Sequence, residues 1–381
     1  MSQTAIFLVG NTARLMVGHY YHLIQHLSAL GFPLYLYTPD VVSEDLKQLV
    51  PHDLSIKRLP YNRSKPSFLG LFRTVHQSWQ AALRFPQAIF TLVTLQSYVL
   101  WGWPLRFLNR RTIFLLAGMG TVFSSVQLRH RLLRPLIKKL YRFLFSSPNS
   151  RVIVQNRDDL AYVIDALNAD PGRTFLMNGC GADENLFPFF AELPHKKRKV
   201  ILVPARIIVE KGIFEAVAAS RILRERGIDH EMQFTSGIDP GNPWPVKSED
   251  LKRFQQENSC IKFLGFVPKM APVFQACDIV CLPTYREGLP TALIESSACG
   301  RPIITTDTIG CRDIVIHEVT GLLVPVGSAE ALADALARLI RDHNLAERLR
   351  RNAYHQFQEK FTKQRTLEQA LTVYRSFGMV C

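Results

Sequence analysis

Short apolar runs alternate with helical segments along the chain, and this alternation limits the possible folds more than any other feature. In the first half, AIFLVGN at 5–11 and PLYLYTP at 33–39 flank a helical segment. The same alternation starts again with VILVPAR at 200–206 and continues through DIVCLP at 278–283. It is typical of doubly wound parallel sheets. Because 381 residues exceed one ordinary core, we predict two such α/β domains.

The predicted domain boundary lies at a polar, basic stretch, AELPHKKRK. Such stretches are typical of exposed linkers. We predict a first Rossmann-like domain over residues 1–190, a linker over 191–199 and a second Rossmann-like domain over 200–355. The final helical segment, 356–381, is expected to pack back on the first domain.

Composition excludes several classes of protein. A chain with 47% hydrophobic and 20% charged residues is globular rather than disordered. The N-terminus lacks the basic region of a signal peptide, and the seven cysteines form no C-x-x-C pair, so we expect a cytoplasmic protein. Residues 85–105 carry no charge but hold several polar residues and prolines, which favours a buried strand and a helix over a membrane span.

The net positive charge is concentrated in the first domain, because acidic residues are scarce there. Residues 1–150 hold 17 of the 46 Lys and Arg residues but only four of the 32 acids. A basic surface of this kind suits nucleic acid, anionic lipid headgroups or a phosphorylated substrate. No zinc-finger spacing or RNA-binding aromatic signature is present, so nucleic acid is the weakest of these hypotheses.

The segment at 128–145, LRHRLLRPLIKKLYRFLF, has helical periodicity. One side carries apolar residues, namely Leu132, Leu133, Leu136, Ile137 and Leu140; another carries Arg131, Arg134, Lys138 and Arg142. Two interpretations stay open: a helix covering the sheet with a solvated basic face, or a helix that contacts an anionic membrane surface. Pro135 argues against one unbroken helix.

The stretch YREGLPTALIESSACG at 285–300 follows the apolar run 279–283 and predicts a strand, a loop and a helix. Pro290 suits the first turn of the helix and Gly300 its C-terminal end. Glu287 is therefore placed beyond the carboxyl end of a strand, where open α/β sheets bind ligands. The backbone N–H groups of residues 288–291 favour an anionic ligand.

Other candidate residues also follow strands of the second half. Arg206 and Lys211 suit a diphosphate, and the carboxylates of Glu287 and Glu295 suit the hydroxyl groups of a ribose or a sugar. Together they indicate a nucleotide sugar. The alternative is that the two cations are surface charges and that Glu295 pairs with Arg301. The dinucleotide fingerprint G-x-G-x-x-G is absent after the first strand, which disfavours nicotinamide and flavin enzymes.

R-x4-K-G at 206–212 followed by E-G-L-P-x4-E at 287–295 resembles glycosyltransferase family 4. The similarity extends to AGMGTVF at 117–123 and GRPIITTDTIGCRDIV at 300–315. The resemblance implies a GT-B fold, with two Rossmann-like domains that face an interdomain cleft. The first would bind the acceptor and the second the nucleotide sugar.

The resemblance also implies roles for particular residues. Arg206 and Lys211 would hold the donor diphosphate, Glu287 would contact the transferred sugar and Glu295 the ribose. Further substrate contacts are expected at Gly10, Asn11, Gly118, Gly120, Gly265, Gly288, Leu289, Pro290 and Thr291. Many members place a histidine after the strand that here reads TIFLLAG, and this chain has none there. A histidine-dependent role is in doubt, and the turn at Gly118 and Gly120 replaces it as the expected contact.

The implied activity is retaining, metal-independent and cofactor-free transfer of a hexose or N-acetylhexosamine. The donor would be a UDP-sugar and the acceptor a polyprenyl-diphosphate-linked saccharide of bacterial surface polysaccharide or O-antigen synthesis. We expect the protein to lie peripherally on the inner face of the plasma membrane, with no nucleic-acid partner. A transferase with a soluble acceptor and a non-catalytic nucleotide-sugar-binding protein are the alternatives.

Overall fold

The structure is a computed structural model that describes residues 4–61, 67–119, 123, 128–193, 197–237 and 245–379. Its contacts divide the chain into two units, one of residues 1–180 with 366–381 and one of residues 181–365. Each unit is an α/β unit built on one parallel sheet, as the alternation of strands and helices predicts.

The first unit contains a seven-stranded parallel sheet in the order β3-β2-β1-β4-β5-β6-β7. The strands are β1 Ile6–Val9, β2 Leu34–Thr38, β3 Ser55–Arg58, β4 Ile89–Val93, β5 Arg111–Leu116, β6 Ser150–Val154 and β7 Thr174–Leu176. Every residue of β1 and β4 is buried, as expected for central strands covered on both faces. The direction of winding reverses between β1 and β4, which makes that position the topological switch point.

Helices cover both faces of this sheet. They are α1 His19–Ala29, α2 Glu44–Lys47, α3 Phe68–Arg84, α4 Leu95–Ser97, α5 Trp103–Phe107, α6 Leu128–Phe145 and α7 Arg157–Asp165. Shorter π-helical turns at Arg14–Gly18 and Tyr98–Gly102 and a 3-10 turn at Pro171–Arg173 join them. The side chains of α3, α5 and α6 meet alternate strand residues such as Phe7, Phe90 and Phe114, so these three helices lie on one face.

The second unit repeats the plan with a six-stranded parallel sheet in the order β10-β9-β8-β11-β12-β13. Its strands are β8 Lys199–Val203, β9 His230–Thr235, β10 Ile261–Gly265, β11 Ile279–Leu282, β12 Ile303–Thr306 and β13 Leu322–Val324. The helices are α8 Ile213–Glu225, α9 Ser248–Glu257, α10 Ala271–Ala276, α11 Thr291–Ala298, α12 Cys311–Ile314, α13 Ala329–Arg341 and α14 His343–Lys360, with a 3-10 turn at Val209–Lys211. The switch point of this sheet lies between β8 and β11.

The division of the chain differs from the predicted bounds at both ends of the second unit. Residues 181–193 belong to that unit because two buried arginines bind their backbone. Arg350 donates to the carbonyls of Phe190 and Ala191, and Arg301 donates to that of Glu192. The end of α14 also stays in the second unit, where Phe357 is buried in the core.

The last helix, α15 Lys363–Arg375, packs mainly in the first unit. Its Ala370, Leu371 and Tyr374 are buried with residues of the first sheet. The Tyr374 hydroxyl bonds to the Thr91 Oγ1 of β4 at 2.7 Å. Side-chain packing and this hydrogen bond therefore hold α15 against the central strands.

Two predictions about helices can be compared with the structure. Across the uncharged stretch 85–105, the structure places β4 and then helical turns, as predicted, and no helix among the described residues is long and apolar enough to cross a membrane. By contrast, α6 runs from Leu128 to Phe145 through Pro135, so the expected interruption at the proline was wrong.

Candidate active site

Lys211 and Glu287 meet at the switch point of the second sheet. Lys211 ends the 3-10 turn that follows β8, and Glu287 lies in the loop that follows β11. The Lys211 Nζ donates a short hydrogen bond to the Glu287 Oε1. The two side chains are 16% and 12% exposed, so the ion pair is mostly shielded from solvent but not fully buried.

Gly212 makes this meeting possible. Its φ is +70°, in the left-handed region, where it precedes α8. A Cβ atom at this position would lie 1.9 Å from the carbonyl oxygen of Pro283, at the end of β11. Only glycine lets the two loops approach so closely.

Hydrogen bonds join the loops after β8, β11 and β12. Tyr285 N and Thr284 Oγ1 both donate to the Glu210 carbonyl, at 2.9 and 3.1 Å. On the other side, the Thr308 hydroxyl donates to the Tyr285 carbonyl at 2.8 Å. The loop that carries Glu287 is thus held from both neighbouring strands.

A second glycine supports Glu287 from the side of β12. Gly310 has a φ of +80°, and a Cβ atom there would lie 2.4 Å from the Gly288 carbonyl oxygen and 2.9 Å from that of Glu287. The Glu287 N donates to the Ile309 carbonyl at 3.2 Å. Sequence reasoning did not single out Gly310 or Thr308 for the site. The available signal was their position directly after β12, in TTDTIG.

Tyr285 and Glu215 form a further contact beside the pair. The Tyr285 hydroxyl donates to the Glu215 Oε1 at 2.6 Å. This hydrogen bond, followed by partial burial, raises the pKa of Tyr285 to about 12. The phenol therefore stays protonated at neutral pH and fixes the loop to the first turn of α8.

The predicted helix after Glu287 is α11. Pro290 is its N-cap residue, Thr291 its first residue, and Gly300 follows its end with a φ of +61°. Leu289, in the loop before the helix, is buried, and Glu295 lies half-buried in the second turn. The side chain of Arg301, the alternative partner of Glu295, donates to backbone carbonyls, including that of Cys277 at 3.1 Å.

Arg206 follows β8, as Lys211 does, and Gly265 ends β10 of the same sheet. Arg206 is exposed in the segment after β8, and its carbonyl accepts a bond from Ile208 N at 2.9 Å. Gly265 ends β10 with a φ of +71°, a Cβ atom there would meet open space, and its carbonyl accepts from Ser236 N. These backbone bonds are local and do not reach the Lys211–Glu287 pair, so the part of both residues in the site stays a prediction.

The remaining predicted residues belong to the first unit. Gly10 and Asn11 follow β1, and Gly118 follows β5 with a φ of +133°. Gly10 has a local packing role, since a Cβ atom there would lie 2.4 Å from the Met16 sulfur. Gly120 lies outside the described residues.

The sequence profile of the family described as "Glycosyl transferases group 1" matches residues 187–356. The match lies inside the second unit and contains the Lys211–Glu287 pair. The second unit is thus similar to the domain that this family profile describes.

Curated relatives carry related activities in their names. One is the N,N'-diacetylbacillosaminyl-diphospho-undecaprenol alpha-1,3-N-acetylgalactosaminyltransferase of Campylobacter jejuni, which is 25% identical over 67% of this chain and 68% of its own length. The capsular polysaccharide biosynthesis glycosyltransferase CapM of Staphylococcus aureus is 27% identical over 47% of this chain and 46% of its own. The chain thus spans two thirds of the first relative and less than half of the second.

Solved structures show the same fold over nearly the whole chain. Sucrose-phosphate synthase from Thermosynechococcus elongatus has a TM-score of 0.82 at 22% identity and covers 99% of both chains. HepE of Anabaena, solved with UDP and glucose, has a TM-score of 0.78 at 16% identity and covers 98% of this chain and 100% of its own. With the two parallel sheets, these likenesses confirm the predicted GT-B fold, and the curated relatives support a glycosyltransferase.

Proposed function

We propose that the chain is a retaining glycosyltransferase of family 4 that moves a hexose or N-acetylhexosamine from a UDP-sugar to a polyprenyl-diphosphate-linked saccharide. The observation that carries this proposal is the Lys211–Glu287 pair at the switch point of the second sheet. A cation beside a carboxylate at that place suits a ligand that combines a diphosphate with sugar hydroxyl groups.

Lys211 and Glu287 can bind the two parts of a nucleotide-sugar donor at the same time, the diphosphate and the sugar. The Lys211 ammonium has three N–H donors, so it can keep Glu287 and also bind phosphate oxygens. In transfer, the bond between the anomeric carbon and the diphosphate breaks, and UDP leaves with the negative charge. The acceptor hydroxyl bonds to that carbon and passes its proton to the departing diphosphate. Lys211, with Arg206 as a second cation, would stabilise the departing charge without a metal ion.

The relatives support the acceptor and the biological setting. The name of the Campylobacter jejuni relative states a diphospho-undecaprenol-linked acceptor, and that of the Staphylococcus aureus relative states capsular polysaccharide biosynthesis. The UDP bound in the Anabaena HepE structure supports a UDP-linked donor. An acceptor of this kind is anchored in lipid, so the protein would work at the inner face of the plasma membrane.

The test measures donor binding and transfer separately. In a thermal-shift screen, we expect UDP and one UDP-sugar to raise the melting temperature, whereas GDP-sugars do not. Lys211→Ala and Glu287→Gln should each lower the transfer rate about 100- to 1,000-fold, as expected for the loss of a group that stabilises the transition state. Lys262→Ala, at an exposed lysine on β10, is the matched control. Wild-type transfer rates in both site variants would refute the proposal.

A soluble acceptor is the second candidate. A D-inositol 3-phosphate glycosyltransferase of Jonesia denitrificans is 30% identical over 46% of this chain and 42% of its own length. Transfer to a phosphorylated polyol or sugar, with none to a lipid-linked saccharide, would establish this alternative. Nucleotide-sugar binding without any transfer would instead establish a non-catalytic protein.

A further inference from the structure

Helix α3 packs against the core with its small residues and the partly buried Leu71 and Val75, and it exposes other large apolar residues to solvent. Its buried residues include Gly70, Thr74 and Ser78. Phe68, in contrast, is 88% exposed, and Phe72 is exposed on the next turn. Large apolar side chains normally point into the core, so this arrangement indicates a partner for the outer face.

The approach of α3 to the segment after β3 requires a glycine at position 70. A Cβ atom at Gly70 would lie 2.2 Å from the carbonyl oxygen of Pro60. The Thr74 and Ser78 hydroxyls are satisfied within the helix, by the carbonyls of Gly70 and Val75 at 2.8 and 2.7 Å. The buried face of α3 is therefore packed and hydrogen-bonded without Phe68 and Phe72, which lie on its outer face.

Helix α6 also exposes large apolar residues, at positions 132–136. Leu132 is 71% exposed, and Leu133 and Leu136 are exposed as well. The side chains that anchor the helix to the core come from its last turns, where Tyr141 and Leu144 are buried. The predicted apolar side of this helix is thus split, with only its C-terminal part directed at the sheet.

Aromatic contacts connect these two helices through α5. Trp79 of α3 contacts Trp103 edge-on at 5.9 Å between ring centroids, and Trp103 contacts Phe107 at 6.0 Å. Phe107, which is 66% exposed, contacts Phe143 of α6 at 5.8 Å. The three helices therefore form one layer, crossed by a continuous row of aromatic rings.

The charge of this layer has a single sign. No Asp or Glu occurs between Asp53 and Asp158, a stretch that contains all three helices. Exposed cations stand among the apolar side chains, including Arg73 of α3 and Lys139 of α6. Arg106 of α5 lies over the Phe143 ring at 5.2 Å. Apolar and aromatic groups mixed with cations, without carboxylates, match an anionic bilayer surface.

We propose that the outer surface of α3, α5 and α6, here called the docking face, binds the surface of an anionic lipid bilayer. It is defined by Phe68, Leu69, Phe72, Phe107, Leu132 and Leu136. The inference deepens the proposed function and rests on it for the location of the acceptor. The apolar side chains would enter the headgroup region, while the cations bind lipid phosphates.

The experiment measures co-sedimentation of the whole chain with vesicles, without donor or acceptor. We expect binding to vesicles of phosphatidylcholine with phosphatidylglycerol, weak binding to phosphatidylcholine alone, and loss of binding at high salt. Phe68→Ser with Phe72→Ser should weaken partitioning about tenfold or more, because two apolar side chains no longer leave water. Arg73→Gln and Lys139→Gln should each weaken it roughly fivefold.

The matched control is Ile316→Ser with Val319→Ser, a pair of exposed apolar residues in the second unit. It should bind vesicles as the wild type does. Equal binding by the Phe68 and Phe72 variant, or equal binding to neutral and anionic vesicles, would overturn the inference. So would analytical ultracentrifugation that finds a wild-type dimer which this variant converts to a monomer.

The docking face and the proposed function can be refuted independently of each other. The Phe68 and Phe72 variant should keep wild-type transfer to an acceptor with a short, water-soluble lipid chain. If vesicle binding is insensitive to the substitutions while transfer occurs, only the docking face is refuted. If vesicles bind as expected but no nucleotide sugar is transferred, only the proposed function is refuted.

Discussion

At the scale of single residues, the site depends on two glycines whose roles are geometric. Gly212 and Gly310 each have a positive φ and each lie where a Cβ atom would collide with the backbone of a neighbouring loop. They let the backbones of the loops after β8, β11 and β12 approach each other closely, and this brings Lys211 beside Glu287. The ion pair is therefore a consequence of backbone contacts on both sides of it.

Substituting Gly212 by alanine tests this interpretation. We expect Gly212→Ala to lower the free energy of unfolding by more than about 2 kcal/mol, because left-handed backbone strain adds to the clash with Pro283. Gly227→Ala is the matched control, since Gly227 has a φ of +69° but no atom within 4 Å of the added carbon. Gly227→Ala should lower the free energy of unfolding only by the backbone strain, about 1 kcal/mol. Equal losses in urea denaturation would contradict the packing role of Gly212.

At the scale of elements, a buried polar network joins β9 to two helices of the second unit. The His230 Nδ1 donates to the Ile228 carbonyl at 2.9 Å, and its Nε2 accepts from the Ser220 hydroxyl of α8 at 2.7 Å. Asn258, at the end of α9, donates to the same hydroxyl at 3.0 Å. One ring nitrogen of His230 donates and the other accepts, which is the pattern of a neutral imidazole. Burial lowers the pKa of His230 below its ordinary value of 6.5.

This network predicts a pH dependence of stability. Below about pH 6.5 the unfolded chain binds a proton at this histidine more readily than the folded chain does. The stabilisation is therefore present above that pH and is lost as the pH falls. We expect the free energy of unfolding to fall more steeply between about pH 7.5 and 5 in the wild type than in His230→Asn. His76→Asn, at an exposed histidine, is the control; equal slopes in all three proteins would contradict the prediction.

At the scale of the whole molecule, the chain returns to its first unit after completing the second. Tyr374 of α15 is buried and bonds to Thr91, and the Ser376 hydroxyl accepts from the Arg151 guanidinium at 2.8 Å. The first core is thus assembled from two segments that are distant in sequence. Its stability depends on residues at the far end of the chain.

We expect Tyr374→Phe to lower the free energy of unfolding by about 1 kcal/mol, through the lost hydrogen bond. Tyr374→Ala should lower it by about 3–5 kcal/mol, because a cavity remains in the core. Arg375→Ala, at the neighbouring exposed residue, should change it little. Urea denaturation measures all three, and wild-type stability of Tyr374→Ala would show that α15 does not complete the first core.

The sequence by itself determined the fold class. Buried parallel strands read as uninterrupted apolar runs, so most strands of both sheets were predictable from local sequence. Two strands lack that pattern: three of the four residues of β3, Ser55–Arg58, are exposed, and β13, Leu322–Val324, has only three residues. Lys211 and Glu287 could likewise be located, because each closely follows such a run.

Only the tertiary structure decided how these residues combine. The contact between Lys211 and Glu287 joins loops that are 76 residues apart, and no local pattern encodes that distance. Periodicity predicted the helix over 128–145 and grouped Leu132 and Leu136 on one apolar side, but it left open whether that side faces the core or a membrane; in the structure both are exposed. The physical reason is common to both cases: the direction of a side chain depends on which neighbours fill the space around it, and those neighbours come from elsewhere in the chain.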